Sequence, residues 1–303
     1  MSIRPTVSAM MQTFDQHVAD QLKATPEVIT TEGEIDISDL YINVPKWRKY
    51  PKVTCVFADL AGSTSLRRGK WEASTASIYE SAIKPAVIIL DDFGADFIDV
   101  QGDAAFGLFV GDYSRNRAIC AGITIKTFGA HVLLPALEVK WPHDPPQTGF
   151  KVGIAISDLL AKKVGISGTT HNAPVWAGRA VNYAAKCSQQ AKAHEMIVTK
   201  PIADAVRKNE YLFYSCACSD SSPVGLWQDR VVDKVSGSDS QGLILNSSWC
   251  ENCGDSYCEK VCAGSWKRPD LDSFRHAGMR DQYLEVMKFR EANMRQIRRG
   301  ING

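Results

Sequence analysis

The chain has 303 residues, a formal net charge of +1 and nine cysteines. A chain of that length can bury a sizeable core, and the balanced charge gives no indication of a nucleic-acid partner. No unbroken apolar run reaches the ~20 residues that span a bilayer, and the first residues lack a signal-peptide pattern. We therefore expect a cytoplasmic protein that binds neither nucleic acid nor a membrane.

The apolar spacing predicts an N-terminal helix over residues 6–24, which we expect to pack on the main domain or on a partner chain. An acidic linker or short strand follows over residues 32–45. A mostly apolar, β-branched run over residues 52–59 then predicts a buried central strand that ends in Asp59.

The next helix contains Pro85, which would kink or break it. Two apolar runs joined by Gln101-Gly102-Asp103 indicate a hairpin. This order indicates an α/β (α+β) domain with a mixed sheet and helices on one face. The predicted elements after the first strand are a helix over residues 65–90, a hairpin over 94–110, a helix over 116–134, a strand over 150–156 and a helix from 178.

Asp59 ends the first strand and Asp103 follows a glycine at the hairpin tip. Either aspartate alone could be an ordinary turn residue. Two carboxylates held close together repel one another, and divalent cations between them would relieve that repulsion and assist attack on a phosphorus atom. The small residues Gly62, Ser63 and Thr64 would allow the turn after Asp59 to present backbone N–H groups to an anion.

Asn182 and Lys186 are four residues apart on the helix from residue 178, so they share one face of it. This pair is either a solvated polar stripe or a functional pair. In the functional interpretation, Asn182 orients a ribose and Lys186 neutralises charge on a phosphate under attack.

Three blocks of the sequence, residues 57–66, 102–103 and 178–186, resemble the signature blocks of class III nucleotidyl cyclases, in order and in approximate spacing. The resemblance covers roughly residues 50–215 and implies a mixed, mainly antiparallel sheet. It also implies that Asp59, Asp103 and the main-chain oxygen of Leu60 bind two divalent cations, Mn²⁺ or Mg²⁺. Asn182 and Lys186 would act on the transition state, although Lys186 stands where Arg is more common and lacks its bidentate fork.

In such cyclases one domain provides the metal ligands and a second, head-to-tail domain provides the transition-state pair. This chain carries both halves in one catalytic domain. The resemblance therefore implies an obligate homodimer with two equivalent sites.

The residues expected around the base depart from the adenylyl and guanylyl patterns. Asp99 stands where those cyclases usually carry Lys or Glu, and bulky Trp176 follows Val175 in place of a polar partner. A shorter acid and larger neighbours indicate a pocket for a smaller base, lined also by Phe57 and by Tyr50, which could equally be a core residue.

In these base-pocket residues the chain resembles the pyrimidine cyclases of bacterial Pycsar anti-phage systems. The cyclic product of those enzymes activates a separate effector. Asp99 could accept the N3–H of uracil or the amino group of cytosine, so its chemistry leaves both bases open. The resemblance favours conversion of UTP to 3′,5′-cyclic UMP and pyrophosphate. The alternatives are a cytidylate cyclase, an adenylate or guanylate cyclase, and a non-catalytic nucleotide-binding adaptor.

The late cysteines form close pairs that favour a structural Zn²⁺ site over disulfides, with reduced thiols as the alternative. They are Cys216, Cys218, Cys250, Cys253, Cys258 and Cys262. Cys55, Cys120 and Cys187 are expected to be reduced core thiols. A long amphipathic helix with a basic end is predicted over residues 270–299. We thus divide the chain into a helix and linker (1–48), a catalytic domain (49–215) and a Cys-rich segment with a terminal helix (216–303).

Overall fold

The computed structural model describes residues 6–23, 25–63, 66, 72–218 and 222–272. Its helices are α1 (Val7–Lys23), α2 (Glu72–Asp92), α3 (Ser114–Phe128), α4 (Leu134–Lys140), α5 (Arg179–Gln190), α6 (Lys200–Lys208), α7 (Glu210–Phe213) and α8 (Gly254–Cys262). Its strands are β1 (Glu27–Thr30), β2 (Lys46–Leu60), β3 (Phe97–Gln101), β4 (Ala104–Phe109), β5 (Phe150–Gly165), β6 (Asn172–Gly178), β7 (Met196–Val198), β8 (Trp227–Val231) and β9 (Gln241–Leu245). A π-helical turn, Gly129–Leu133, joins α3 to α4, and 3₁₀ turns lie at Ile37–Asp39, Gly237–Ser240 and Pro269–Leu271.

The described strands form one nine-stranded sheet with the order β3-β4-β2-β5-β7-β9-β8, to which β1 and β6 add by pairing with β2 and β5. β1 runs parallel to β2 and β7 runs parallel to β5, whereas the other pairs are antiparallel. The predicted mixed, mainly antiparallel sheet is therefore confirmed, as is the hairpin made by β3 and β4.

β2 is the central strand, and it is paired along one edge with β4 and along the other with β5. Its side chains alternate between two hydrophobic cores, because successive residues of a strand face opposite sides of the sheet. Val56 and Ala58 lie in the core under α2 and α3, whereas Val53 and Cys55 lie in the core under α5. The strand is longer than the predicted 52–59 and has an irregularity between Tyr50 and Val53.

Helices cover both faces of the sheet, so the expectation of helices on one face is wrong. α5 lies on the face opposite α2 and α3, where Ala180, Ala184 and Cys187 are buried. Gly153 of β5 makes this possible, because a Cβ atom there would lie 1.9 Å from the carbonyl oxygen of Ala184. The absence of a side chain thus lets the backbone of α5 rest directly on the sheet.

Several predicted elements occur with different bounds. α2 runs through Pro85 without a break, and the part predicted before residue 72 lies largely outside the described residues. The strand predicted over residues 150–156 continues to Gly165. β8 and β9, from beyond residue 215, complete the sheet and contribute to the same core as α3. The terminal helix predicted over residues 270–299 falls almost entirely outside the described residues.

The segment Ser114–Lys140 is long and apolar enough to cross a membrane by length and composition alone. It consists of α3, the π-helical turn and α4. Here it is a core helix, because Ala118, Ile119 and Ile123 are among its residues buried against the sheet. Packing inside a folded domain therefore accounts for its apolar composition.

α1 behaves differently, because none of its residues is buried against the rest of the described chain. Its apolar residues are between 42% and 82% exposed, and they are Val7, Met10, Met11, Phe14, Val18 and Leu22. Packing of this helix on the main domain, one of the two outcomes expected from the sequence, is thus not observed.

We predict that Gly153→Ala lowers the free energy of unfolding by about 1–3 kcal/mol or more, because the new methyl group forces α5 away from β5. Urea unfolding followed by circular dichroism measures the change. Gly225→Ala is the matched control, since a Cβ atom there meets Phe213 at an ordinary 3.5 Å. Equal stability of the two variants would contradict the close packing of α5.

Candidate active site

The two predicted aspartates lie at the same end of the central strands. Asp59 is the penultimate residue of β2 and is paired in register with Ala104 of β4. Asp103 lies in the turn between β3 and β4, and its carbonyl oxygen accepts the N–H of Leu60 at 3.2 Å. The hairpin tip is thus bonded directly to the end of β2. This ladder brings the backbone of Asp103 next to the strand end that carries Asp59.

Lys151 is a site residue that the sequence reasoning missed. It lies on β5 directly opposite Asp59, and its ammonium group forms an ion pair with that carboxylate. Both side chains are largely buried, with exposed fractions of 18% for Asp59 and 20% for Lys151. A signal was available, because Lys151 is the one charged residue in the apolar run Phe150–Ile156.

The oxygen atoms at this end of the sheet fit a hard divalent cation. Two carboxylates and a main-chain carbonyl are ligands that Mg²⁺ and Mn²⁺ prefer. Leu60 can contribute only its main-chain carbonyl, because its side chain is a hydrocarbon, which is buried in the core. The negative charge of Asp59 is already balanced by the positive charge of Lys151. The position beside this carboxylate is therefore suited to a cation.

The turn after β2 is held on both sides. The N–H of Ala61 donates to the carbonyl of Gly149 at 2.9 Å, and the Thr148 hydroxyl donates to the carbonyl of Ala61 at 2.7 Å. Gly62 adopts a φ of +67°, a conformation that favours glycine. The carbonyl of Ser63 accepts the N–H of Leu66 at 3.2 Å. Thr64 lies outside the described residues.

An aromatic wall, defined as Phe57, Phe97, Phe106 and Trp176, lies on one face of the sheet. The ring centroids are 6.1 Å apart for Phe57 and Phe106, 5.9 Å for Phe97 and Phe106, and 4.8 Å for Phe97 and Trp176. The structure thereby links Phe57 and Trp176, which the sequence singled out separately. Phe97 and Phe106 were predicted only as strand residues, since nothing in their local pattern indicates which aromatic rings lie opposite.

Asp99 lies on β3 two residues after Phe97 and therefore on the same face, opposite Phe106 of β4. Its carboxylate accepts the N–H of Val100 at 2.9 Å and the side-chain amide of Gln101 at 3.4 Å. A carboxylate has about four lone-pair sites, so acceptor capacity remains for a ligand. The aromatic wall therefore has a hydrogen-bond acceptor, the Asp99 carboxylate, on the same face of the sheet.

Tyr50 lies away from this surface. It is nine residues from Asp59 along β2, a span of roughly 30 Å, and thus near the other end of the strand. Its side chain is 1% exposed and belongs to the core under α5. Burial raises the pKa of its phenol above the ordinary value. Of its two interpretations from the sequence, this position corresponds to the core residue.

Asn182 and Lys186 lie on α5, as the sequence predicts. The side-chain amide of Asn182 donates to the carbonyl of Gly178 at 3.0 Å and is exposed to solvent. The ammonium group of Lys186 lies 5.3 Å from the centre of the Tyr183 ring. Asn182 thus bonds the residue just before its helix and Lys186 contacts a ring within it, while Asn182 is exposed and Lys186 is partly exposed.

The position of α5 relative to β5 places Asn182 with respect to the strand end that carries Asp59. The Ser188 hydroxyl donates to the carbonyl of Lys151 at 3.0 Å, so the C-terminal end of α5 lies beside Lys151. Asn182 is six residues before Ser188, which is ~9 Å along the helix axis. Asn182 is therefore displaced along α5 from the end of the helix that lies beside Lys151.

No protein-family model matches this chain. A uridylate cyclase from Micromonospora echinofusca is 45% identical over 294 residues, which cover 96% of both chains. A uridylate cyclase from Propioniciclava tarda is 38% identical over 302 residues, or 97% of both.

Solved structures show the same fold at low sequence identity. The adenylyl cyclase CyaB from P. aeruginosa has a TM-score of 0.52 and 16% identity, and the match covers 66% of this chain and 96% of that one. The guanylate cyclase domain of RhGC from Catenaria anguillulae, solved with GTP, has a TM-score of 0.50 and 14% identity, covering 66% and 98%.

Proposed function

This chain belongs to the uridylate cyclase family, and from that membership we propose that it converts UTP to 3′,5′-cyclic UMP and pyrophosphate. The observation that carries the proposal is the match over nearly the whole length of two uridylate cyclases, combined with the aspartates at the end of β2 and at the hairpin tip and with the aromatic wall near Asp99. The family consists of enzymes, so the alternative of a non-catalytic adaptor is overturned.

Asp59, Asp103 and the carbonyl of Leu60 are the residues that would hold two divalent cations, Mn²⁺ or Mg²⁺. When bound, such cations lower the pKa of the attacking 3′-hydroxyl and neutralise the phosphates. A bound cation can replace the Lys151 ammonium group as the partner of the Asp59 carboxylate. Lys151 is then free to bind a phosphate oxygen, so its positive charge stays in the site during the reaction. Gly62 and Ser63 contribute a turn whose backbone N–H groups suit the triphosphate.

The uracil ring would pack on the aromatic wall while Asp99 accepts its N3–H. A charged acceptor suits uracil, whose N3 carries a proton, and it cannot pair with the unprotonated N3 of cytosine. Cytosine could still donate its amino group to Asp99, so CTP is the rival substrate. The names of the full-length relatives favour UTP.

The complete site would form between two copies of the chain. Asn182 and Lys186 of one chain would orient the ribose and neutralise the reacting phosphate bound to Asp59 and Asp103 of the other. Each chain would thus provide two half-sites, one with Asp59 and Asp103 and the other with Asn182 and Lys186. The exposed position of Asn182 supports this arrangement. So does α1, whose exposed apolar residues are suited to contact with a second copy.

The biological role follows by resemblance to the pyrimidine cyclases of anti-phage systems. We expect cyclic UMP to act in the cytoplasm as a second messenger of antiviral defence. A separate effector that binds the cyclic nucleotide would then be its target.

The proposed activity is tested by incubating the pure protein with each of the four nucleoside triphosphates and Mn²⁺, with the cyclic products measured by mass spectrometry. Cyclic UMP should be the main product. Asp59→Asn and Asp103→Asn should each reduce it at least ~100-fold, since even partners outside a coordination shell contribute 10- to 100-fold. Asp91→Asn, an exposed carboxylate on α2, is the control. Full activity of the Asp59 or Asp103 variant would refute the metal assignment.

Base selectivity should depend on Asp99 and Trp176. UTP should exceed ATP and GTP at least tenfold in kcat/KM, which needs only ~1.4 kcal/mol, about one hydrogen bond to a charged group. Asp99→Ala should reduce UTP turnover far more than residual purine turnover. Trp176→Ala should relax the exclusion of purines, and Trp176→Phe, which keeps an aromatic ring beside Phe97, should not. Preference of the unmodified protein for another triphosphate would refute the uracil assignment and leave cyclase activity in place.

The shared site predicts complementation between inactive chains. Co-expressed Asp59→Asn and Lys186→Ala chains should recover about one quarter of the activity, because half of the dimers are mixed and each has one intact site of two. Asp59→Asn with Asp103→Asn is the control, since both changes fall in the same half-site and no intact site can form. Absence of recovery in proven mixed dimers would exclude the shared site.

A further inference from the structure

The structure separates the late cysteines into two groups. In the first, the sulfur atoms of Cys216, Cys218, Cys250 and Cys253 all lie within 4.8 Å of one another. Cys216 and Cys218 follow α7, whereas Cys250 and Cys253 immediately precede α8. The two halves of this tetrathiol cluster therefore come from segments on either side of the β8–β9 hairpin, and none of the four forms a disulfide.

The spacing of these sulfur atoms suits a single metal ion. Four thiolates around tetrahedral zinc, with Zn–S bonds of about 2.3 Å, have sulfur atoms ~3.8 Å apart. The sulfur atoms of the tetrathiol cluster, all within 4.8 Å of one another, are compatible with that arrangement. Without a cation, four thiolates this close would repel each other strongly. A Cys-x-Cys pair and a Cys-x₂-Cys pair also provide the set of four sulfur ligands that structural zinc sites use.

The Cys250–Cys253 turn carries outer contacts typical of a metal-binding turn. The N–H of Gly254 donates to the carbonyl of Cys250 at 2.8 Å. Gly254 leaves no room for a side chain, because a Cβ atom would lie 2.9 Å from Cβ of Trp249. These contacts fix the backbone of the Cys250–Cys253 turn and thereby the positions of its two thiols.

Two fully buried cationic side chains hold the loops that carry the four thiols. Lys126 of α3 donates to the carbonyls of Asn246, at 2.9 Å, and Ser247, which lead to Cys250. Arg268 donates to the carbonyls of Tyr214, at 3.2 Å, and Ser215, at 2.8 Å, directly before Cys216. The loops are thus positioned by contacts that do not involve sulfur, and the ligand set is pre-organised.

We propose that Cys216, Cys218, Cys250 and Cys253 bind one structural Zn²⁺ ion. The ion links the chain after α7 to the start of α8 and so fastens the β8–β9 hairpin and α8 to the rest of the domain. It is separate from the proposed cations at Asp59 and Asp103. All four protein ligands are thiolates, which leaves no open position for substrate and gives the ion a structural role.

The second cysteine group provides an internal control. Cys120 of α3 lies with Cys258 and Cys262 of α8, and its three sulfur atoms are within 4.8 Å of one another. Cys120 is a free thiol buried in the core, as the sequence predicts, and the structure adds that Cys258 and Cys262 lie beside it. Among the described residues no fourth Cys, His, Asp or Glu joins this trithiol group. A Cys-to-Ser variant in either group replaces a thiol by a hydroxyl, so a variant of the trithiol group is a control for a variant of the tetrathiol cluster.

Zinc content of the full-length protein, purified without chelators and measured by mass spectrometry of the metal, tests the proposal. Cys250→Ser and Cys216→Ser should each lose about one zinc per chain relative to the unmodified protein, whereas Cys258→Ser should retain it. Zinc content unchanged in Cys250→Ser, or lost only in Cys258→Ser, would overturn the assignment.

The unmodified protein gives a test that needs no variant. Replacement of zinc by Co²⁺ should produce the visible absorption of tetrahedral cobalt with four thiolate ligands, and a chelator should remove both that absorption and part of the thermal stability. A metal-free protein in which these four cysteines are joined as disulfides, shown by peptide mass mapping, would refute the site. Neither readout depends on nucleotide turnover, so failure here is distinguishable from failure of the proposed cyclase activity.

Discussion

The ion pair between Asp59 and Lys151 depends on the constraint that shapes the whole domain, the pairing of β2 along both edges. A strand bonded on both sides cannot shift without breaking two ladders, so its last residues are fixed relative to the β3–β4 hairpin and to β5. A largely buried carboxylate at such a position is costly unless a positive charge compensates it. Lys151 provides that charge in the described chain, and a divalent cation would provide it during catalysis.

The same strand pairing builds the surface proposed to bind the base. Phe57, Phe97 and Phe106 belong to three adjacent strands and face the same side, so their rings form a continuous wall that ends at Trp176. Aromatic contacts of this kind hold a flat ring but discriminate poorly between bases, because every base has an aromatic face. Discrimination therefore requires a polar group near the wall, and Asp99 lies on the same face of the sheet, opposite Phe106.

The region after residue 215 is built on a different principle. Its loops have little regular structure, and their backbone carbonyls are satisfied by Lys126 and Arg268, two buried cations. Lys126 and Arg268 are both far in sequence from the carbonyls to which they donate. These loops are therefore shaped by the tertiary fold. The same loops bring four thiols together, and a bound metal ion would link the two loops through these thiols.

The sequence by itself determined the identity and order of most elements, the carboxylate at the end of the central strand, the glycine-containing hairpin tip, and the shared helix face of Asn182 and Lys186. All of these are local properties, since side-chain period and turn residues fix which way a residue points. Only the tertiary structure decided what lies opposite each residue. Lys151 facing Asp59, the aromatic wall, the burial of Tyr50 and the sorting of the cysteines into groups of four and three all depend on pairing between segments far apart in the chain. A local period specifies the face of a strand or helix but carries no information on the partner that will cover it.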